Sequence, residues 1–233
     1  MQENDARSKG WTLIADNCKD RSGPFFGRRY LLNNDRATIL IFDVNGHIAG
    51  TQMAFKTSLM KRSPRKYAGA YQILGDFVYL TAYFTEPSKV CDKEAKQYSD
   101  VVGDKLVFLT GRDKYLRAPL ENKDIEGSKW VKGRCFVLMG THYWYDISTD
   151  MSCDDVFPFF LLYNTKGKLV GWGYAVVDVG VDSSRVEHPP SSLRWLFFKK
   201  STYPSCVSQL RQISTQHIYF TKVGISTHLC SLG

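Results

Sequence analysis

The stretch ILIFDVNGHIAG at residues 39–50 decides the fold class. Runs of aliphatic and aromatic residues lie on both sides of Asn45-Gly46, and Asn-Gly between such runs is the strongest short-range signal for a β-hairpin. A second stretch, FLLYNTKGKLVG at residues 160–171, repeats the pattern around a turn that ends in Gly167. The two stretches predict two antiparallel hairpins.

Strand signals recur along the whole chain, whereas no segment of a dozen residues shows a clean helical spacing of apolar residues. The predicted strands are 38–44, 47–55, 67–74, 77–84, 106–110, 135–139, 156–163, 168–177, 193–198 and 215–220. The sequence therefore predicts a mainly β protein with few helices, folded as an antiparallel sandwich or a large barrel.

The flanks of the two hairpins also correspond. A Trp and a Cys precede each turn glycine, and Tyr-Phe-Thr followed by a Cys comes after it, at residues 83–85 and 219–221. We infer a tandem duplication of two β-rich halves, residues 8–115 and 116–233, within one compact structural unit. The alternative is chance similarity between hairpins that share turn chemistry.

Six cysteines are scattered widely, and no pair has the C-x-x-C spacing of a zinc ribbon or a thioredoxin-type motif. Their even number fits three disulfides, and the alternative is six buried thiols. Aligning the two halves predicts these bridges: Cys18–Cys91, Cys135–Cys230 and Cys153–Cys206.

Disulfides form in oxidising compartments, so the cysteines predict a secreted, extracellular protein. Residues 1–7 are polar and lack the apolar segment of a signal peptide, so this prediction implies that a signal has been removed. The longest strongly apolar stretch, residues 156–163, is far shorter than the roughly 20 residues of a spanning helix. No membrane span is predicted.

The 31 Lys and Arg exceed the 23 Asp and Glu, which gives a net charge of +8. A basic cluster, defined as Lys61, Arg62, Arg65 and Lys66, predicts contact with an anionic surface such as a glycan or a protein. The alternative is a solvated loop. No nucleic-acid-binding signature accompanies the cluster, so nucleic acid is not predicted as a partner.

The segment THYWYD at residues 141–146 places four rings in succession before a carboxylate. In a strand, His142, Trp144 and Asp146 point to one face, whereas Tyr143 and Tyr145 point to the other. A Trp beside a His can floor a pocket for a flat ligand, which His and Tyr side chains orient or protonate. The alternative is a core face backed by an aromatic surface.

A second strand histidine, His217, shares a face with Tyr219. The corresponding segment of the first half has Thr81 at that position. The second half therefore holds two histidines in strand-like segments, His142 and His217, that the first half lacks, which places the candidate site in the second half. The alternative is a structural role for each imidazole.

The segment Glu187-His188-Pro189-Pro190 predicts an extended loop, because proline restricts its own backbone and that of the residue before it. We expect the loop to bring Glu187 or His188 over the sheet as a pocket wall; the alternative is a rigid surface loop. No H-x-H, H-E-x-x-H, G-x-G-x-x-G or Walker spacing occurs, so neither a metal nor a cofactor is predicted.

Three functions follow from these features. The first is a secreted β-protein that binds a small apolar or aromatic molecule through Trp144, Trp172, Glu187, His188 and Tyr219. The alternative is a cofactor-independent isomerase, hydrolase or oxygenase whose acid–base residues are His142, His217, Tyr143, Tyr145 and Asp146. A second alternative is a module that recognises an anionic glycan or protein.

Overall fold

The computed structural model describes residues 1–20, 23–95 and 105–220. These residues contain one short α-helix, α1 (Glu3–Ser8), and thirteen strands. In chain order the strands are β1 (Thr12–Asp16), β2 (Arg28–Leu32), β3 (Asp35–Phe42), β4 (Ile48–Lys56), β5 (Gln72–Leu74), β6 (Phe77–Tyr83), β7 (Val107–Gly111), β8 (Lys114–Arg117), β9 (Trp130–Phe136), β10 (Gly140–Tyr145), β11 (Phe159–Tyr163), β12 (Leu169–Val177) and β13 (Ile213–Tyr219). The predicted mainly β class is confirmed.

The chain divides into two compact units. Unit 1 comprises Met1–Ser58 and Gly69–Ala118, and unit 2 comprises Leu59–Ala68 and Pro119–Gly233. The segment Leu59–Ala68 thus belongs to unit 2, although the residues before and after it along the chain belong to unit 1.

Unit 1 contains an antiparallel sheet of eight strands in the order β1-β2-β3-β4-β6-β7-β8, with β5 beside β6. The predicted hairpin is β3–β4. Its turn is closed by Asp43, whose Oδ1 accepts hydrogen bonds from the main-chain N–H groups of Asn45 and His47, at 2.9 and 2.8 Å. Gly46 has φ of +88°, a conformation that glycine adopts without steric cost.

Unit 2 contains an antiparallel sheet of five strands in the order β13-β12-β11-β10-β9. The predicted second hairpin is β11–β12. Asn164 closes the turn of this hairpin in the same way as Asp43 closes the turn of β3–β4. The Oδ1 atom of Asn164 accepts hydrogen bonds from the main-chain N–H groups of Lys166 and Lys168, both at 3.0 Å. Both hairpin predictions are confirmed. Each sheet ends in an edge strand on both sides, whereas a barrel has no edge strands. The described strands therefore do not form the barrel that the sequence left as an alternative.

Equivalent strands of the two sheets pair in equivalent registers. In unit 1, Gly50 of β4 lies opposite Tyr83 of β6. In unit 2, Gly171 of β12 lies opposite Tyr219 of β13. These are the residues that the sequence alignment of the halves matches. The duplication itself stays a prediction, but the shared register allows the two units to be compared position by position.

Two of the three predicted disulfides are confirmed. Cys18 is bonded to Cys91 within unit 1, and Cys153 is bonded to Cys206 within unit 2. The third predicted bridge includes Cys230, which lies outside the described residues.

Some predicted strands differ from the observed ones. Residues 193–198 lie mostly in a 3-10 helix, Ser191–Phe197, which begins directly after Pro190. Residues 137–139 form the turn between β9 and β10, where the prediction had a strand. The sequence analysis missed β1, β2 and β8, whose charged or exposed residues carry no clear alternation.

Among the described residues, no helix is both long enough and apolar enough to cross a bilayer.

Candidate functional site

Unit 2 contains a pocket that is partly open to solvent. Both strand histidines, His142 and His217, line it. Its walls are otherwise mainly apolar and aromatic, and they include Trp144, Ile147, Val156, Phe160, Ala175, Val177, Phe197, Phe198, Val207 and Ile213. Apolar walls with a few polar groups are typical of small-molecule sites.

A β-bulge sets the position of His142. The pairing of β10 with β9 shifts register between Thr141 and Tyr143, so His142 lies at the irregularity. Gly133 of β9 faces the same point, where an added Cβ would be 2.4 Å from the carbonyl oxygen of Phe197. That oxygen accepts a hydrogen bond from Trp144 Nε1 at 3.0 Å. The absence of a side chain at Gly133 thus lets the 3-10 helix Ser191–Phe197 close the pocket over the sheet.

His142 is only 1% exposed, and neither ring nitrogen makes a hydrogen bond of good geometry among the described residues. The main chain of Arg134 and of Gly140 lies near the ring and acts to raise its pKa, an effect that is smaller than that of burial. The ring lies 5.5 Å from the Phe160 ring and 5.1 Å from the Phe197 ring. Burial, with a smaller contribution from His217, lowers the pKa of His142 to about 3. The imidazole is therefore neutral at pH 7.

His217 lies next to His142 in the pocket lining, with the ring centroids 6.0 Å apart and the planes nearly perpendicular. Burial lowers the pKa of His217 to about 4, so this ring is also neutral at pH 7. Its Nδ1 has no hydrogen-bond partner in the described structure. The carboxylate of Glu187 comes nearest, with Oε2 3.4 Å from Nδ1 but outside hydrogen-bond geometry.

Main-chain pairing holds Glu187 beside this histidine. The N–H of Glu187 donates to the carbonyl of Thr215 at 2.7 Å, and the N–H of Thr215 donates back at 2.9 Å. This isolated bridge attaches the proline-rich loop to β13. Burial raises the pKa of Glu187. The predicted pocket wall thus includes Glu187, and Pro189 of the same loop also lines the pocket.

Sequence analysis missed Arg194, which lines the pocket from within the 3-10 helix. Its buried guanidinium donates to four main-chain carbonyls, those of Pro189, Val207, Leu210 and Arg211, at 2.7 to 3.3 Å. Arg194 thereby joins its own helix to the loop before that helix and to residues 207–211, which precede β13. The available signal was an arginine inside the apolar run LRWLFF at residues 193–198.

The structure brings four predicted site residues together at the pocket, namely His142, Trp144, Glu187 and His217. Trp144 also stacks on Phe198, with centroids 4.5 Å apart. Tyr219 stacks on His217 with nearly parallel rings at 6.3 Å, but it is not part of the lining. As the strand alternation predicted, the rings of His142 and Trp144 in β10 and of His217 in β13 lie on the face of the sheet that lines the pocket.

The two tyrosines predicted as proton donors lie on the opposite face of β10. Tyr143 packs against Tyr163, and Tyr145 packs against Trp130, each with ring centroids 5.0 Å apart. The strand alternation that directs His142 into the pocket turns both tyrosines away from it. Neither hydroxyl is placed to protonate a ligand in the pocket.

Asp146 also lies away from the pocket, in contrast to the prediction. β10 ends at Tyr145, and Asp146 has φ of +55°, which breaks the strand alternation. Its carboxylate pairs with Lys66 at 2.5 Å and with Lys129 at 3.3 Å, and it accepts a hydrogen bond from the Tyr67 hydroxyl. Asp146 therefore has a structural role within unit 2.

Two further predicted contact residues do not line the pocket. Trp172 is fully buried, and its ring packs against Tyr174 at 4.9 Å on the face of β12 away from the histidines. His188 is exposed, and its Nδ1 lies 2.8 Å from Gln212 Nε2 and 3.2 Å from Ser214 Oγ. Proline at position 189 holds this loop extended, and the side chain of His188 points to β13 and not to the cavity.

The basic cluster is largely paired with carboxylates of unit 2. Arg62 contacts Asp178 at 2.6 Å and Asp154 at 3.1 Å. Arg65 contacts Asp155 at 3.2 Å, and Lys66 contacts Asp146. These ion pairs attach the segment Leu59–Ala68 to unit 2 and neutralise much of its charge. The predicted anionic partner therefore gains no support from this arrangement.

Unit 1 carries a hydrogen-bonded network at the positions that correspond to the two histidines. Arg29 of β2 corresponds to His142 of β10, because Arg29 lies opposite Ile41 and His142 lies opposite Leu162, the residue that matches Ile41. Thr81 of β6 corresponds to His217 of β13, because each lies two residues before the matched tyrosine of its strand. The side chain of Gln52 lies between those of Arg29 and Thr81. Gln52 accepts from Arg29 at 3.4 Å and donates to Thr81 at 2.9 Å.

The residue of unit 2 that corresponds to Gln52 is Gly173, which lies opposite His217. An added Cβ at Gly173 would be 2.3 Å from Cζ of Phe160, so the missing side chain leaves room for that ring. At these positions unit 1 therefore hydrogen-bonds its polar side chains to one another, whereas unit 2 leaves both ring nitrogens of His142 and Nδ1 of His217 without a hydrogen-bond partner beside a cavity.

Within residues 1–20, 23–95 and 105–220, no group of three or more His, Cys, Asp or Glu side chains is arranged to hold a metal ion. Comparison of the chain with protein-family models, with curated proteins and with solved structures finds no match.

Proposed function

We propose that unit 2 binds a small, largely apolar or aromatic molecule in the pocket, and that His142 and His217 bind its polar group. The observation that carries this proposal is the pair of buried, neutral imidazoles, of which both nitrogens of His142 and Nδ1 of His217 lack a hydrogen bond of good geometry in the described structure. Leaving a buried polar group unsatisfied costs about 1–3 kcal/mol. A ligand hydroxyl or carbonyl would recover that free energy on binding.

The walls favour a flat, apolar ligand body. Trp144, Phe160, Phe197 and Phe198 surround the histidines, and aliphatic side chains complete the lining. A neutral imidazole has one N–H donor and one acceptor nitrogen, so each ring can meet either kind of polar group.

The proposal includes secretion and a duplicated origin of the two halves. Two disulfides support an oxidising compartment. The matching registers of the two sheets, together with the matching turn closures at Asp43 and Asn164, support the duplication. On this hypothesis the second half acquired the site when the network residues were replaced by His142, Gly173 and His217.

A matched pair of probes tests the proposal. We expect the full chain to bind 2-naphthol at least about tenfold more tightly than naphthalene, because only the hydroxyl satisfies an imidazole. In the His142→Phe/His217→Phe double variant the rings remain aromatic but lose their polar atoms, so the preference should disappear. Equilibrium titration by intrinsic tryptophan fluorescence measures both affinities.

His188→Gln serves as the control, since His188 lies outside the pocket, and it should bind like the wild type. Equal affinities of the wild type for the two probes, or an unchanged preference in the double variant, would contradict the assignment of the polar contact. Absence of binding to either probe would contradict the pocket itself.

One observation favours a second function, a cofactor-independent enzyme that uses the same pocket. Glu187 Oε2 lies 3.4 Å from His217 Nδ1, outside hydrogen-bond geometry. A rotation of this exposed side chain would complete the hydrogen bond and orient the ring, so that the other nitrogen could exchange a proton. A ligand that co-purifies with the protein, once identified by mass spectrometry, is the substrate to test. Loss of turnover with retained binding in His217→Ala or Glu187→Gln would favour the enzyme over a binding protein.

A further inference from the structure

We infer that unit 2 docks on an anionic lipid bilayer through an apolar patch next to the pocket. The tryptophan patch, as we name it, consists of Val137, Leu138, Leu193 and Trp195, all of which are exposed. Docking would deliver an apolar ligand to the proposed pocket, and this consequence rests on the proposed function. The binding of the patch to lipid does not depend on the proposed function.

The turn between β9 and β10 supplies the first part of the patch. Val137 is 61% exposed and Leu138 is 43% exposed. Leu138 also has φ of +69°, a conformation in which Asn or Gly is usual and a larger side chain is strained. Folding alone does not account for an apolar residue in a strained conformation at an exposed turn, so we assign Leu138 a role in contact with another molecule.

The 3-10 helix Ser191–Phe197 supplies the second part. Trp195 is 49% exposed, and Leu193 of the same helix is exposed as well. Trp195 Nε1 donates to the carbonyl of Ser192 at 2.9 Å, so the polar atom of the indole is already satisfied. Two residues later, Phe197 lines the pocket. Tryptophan is enriched where proteins meet the membrane interface.

Direct contacts join the two parts into one surface. The Arg134 guanidinium of β9 lies over the Trp195 ring, 5.0 Å from its centroid. The rings of Phe136 and Phe197 are 5.4 Å apart, and Phe136 directly precedes Val137. The turn and the helix therefore present their apolar side chains together at one end of β9.

Basic side chains flank this surface. Lys132 and Arg134 lie on β9, and Lys199 and Lys200 follow the helix; all four are exposed. None of them forms an ion pair with a carboxylate in the part of the chain that the structure describes. Exposed apolar side chains beside unpaired cations complement a bilayer with anionic headgroups, since each nearby Lys or Arg contributes about 1 kcal/mol of attraction.

Vesicle flotation with the full chain tests the inference. We expect binding to vesicles of phosphatidylcholine mixed with phosphatidylserine, weaker binding to phosphatidylcholine alone, and a decrease at high salt. The Leu138→Asn/Trp195→Gln variant should lose at least about tenfold in affinity. Asn suits a positive φ, so the variant should keep its thermal stability. Ile73→Thr, which changes an exposed apolar residue of unit 1, should bind like the wild type.

Charge is tested separately. Lys199→Gln/Lys200→Gln should weaken binding to phosphatidylserine vesicles at least about tenfold. The matched control Lys9→Gln/Lys56→Gln removes the same charge at two exposed positions of unit 1 and should have less effect. Equal losses in both variants, or no loss with Leu138→Asn/Trp195→Gln, would overturn the inference. So would a dimer that forms through the patch in solution without vesicle binding.

The 2-naphthol titration, repeated on the patch variants without lipid, separates this inference from the proposed function. Unchanged probe binding with lost vesicle binding supports two distinct surfaces. Probe binding without any vesicle binding by the wild type would refute the lipid inference and leave the pocket standing, whereas the reverse result would refute the pocket alone.

Discussion

His142 and His217 remain neutral at pH 7 because burial lowers their pKa values to about 3 and about 4, from the ordinary value of 6.5. In the unfolded chain both imidazoles regain the ordinary pKa. Below about pH 6.5 the unfolded state therefore binds more protons than the folded state, and the free energy of unfolding decreases as the pH falls. The loss continues until the pH reaches the folded pKa values.

We predict that His142→Phe removes part of this pH dependence. Phenylalanine keeps an aromatic ring between Phe160 and Phe197 but cannot bind a proton. Urea denaturation at a series of pH values from about 7 to about 4 should show a smaller loss of stability in the variant, by an amount on the order of a few kcal/mol. Parallel curves for His142→Phe and the wild type would refute the prediction.

At the scale of elements, the 3-10 helix Ser191–Phe197 organises the pocket wall. Arg194 extends from it to carbonyls of the loop before the helix and of the segment that precedes β13. The same segment contains Cys206, whose disulfide to Cys153 packs with Val207 and Ile213 behind the lining. The wall is therefore assembled from loops that one buried cation and one covalent bond connect.

We predict that Arg194→Met destabilises the protein by about 3 kcal/mol, because it leaves four carbonyls without their donor. Arg194→Lys keeps a charge and three donors, so it should destabilise less. Urea denaturation measures both, and 2-naphthol binding should weaken in parallel with the loss of the wall. The control is Arg211→Met, which removes an exposed guanidinium and should leave both properties nearly unchanged. A stability of Arg194→Met equal to that of the control would contradict the role of Arg194.

Sequence patterns predict some elements better than others for a local reason. The hairpins β3–β4 and β11–β12 follow from turn residues that close the turn with their own side chains, as Asp43 and Asn164 do. The 3-10 helix at residues 191–197 cannot be predicted from local sequence, because its run of apolar residues has the composition of a strand. Its conformation depends on the preceding prolines and on carbonyls distant in sequence, which Arg194 contacts.

At the scale of the whole molecule, each disulfide lies within one unit. Cys18–Cys91 spans 73 residues in unit 1, and Cys153–Cys206 spans 53 residues in unit 2. In the chain-entropy view each bridge stabilises the folded state by about 4 kcal/mol, because it restricts the unfolded chain. The two bridges are similar in stabilisation, but only Cys153–Cys206 lies in the unit that contains the pocket.

We therefore predict a difference between two variants. Cys153→Ala/Cys206→Ala should lower the 2-naphthol affinity, because this bridge connects the pocket wall. Cys18→Ala/Cys91→Ala should lower thermal stability but leave the affinity of the folded protein within about twofold of the wild type. Calorimetry and fluorescence titration provide the two measurements. Equal loss of affinity in both variants would contradict the assignment of the site to unit 2 alone.

The sequence by itself determined the strand class, both hairpins and the face on which His142, Trp144 and His217 lie, because turn chemistry and strand alternation act over a few residues. The two confirmed disulfides were predicted by a different route, the alignment of the two halves. The sequence did not predict the role of Arg194 in the pocket wall, the position of Asp146 away from the pocket or the ion pair between Arg62 and Asp178. These features arise where segments distant along the chain meet, and no local pattern records such contacts. Only the tertiary structure decided that two imidazoles share a cavity, since that depends on Gly133 and Gly173 making room for neighbouring elements.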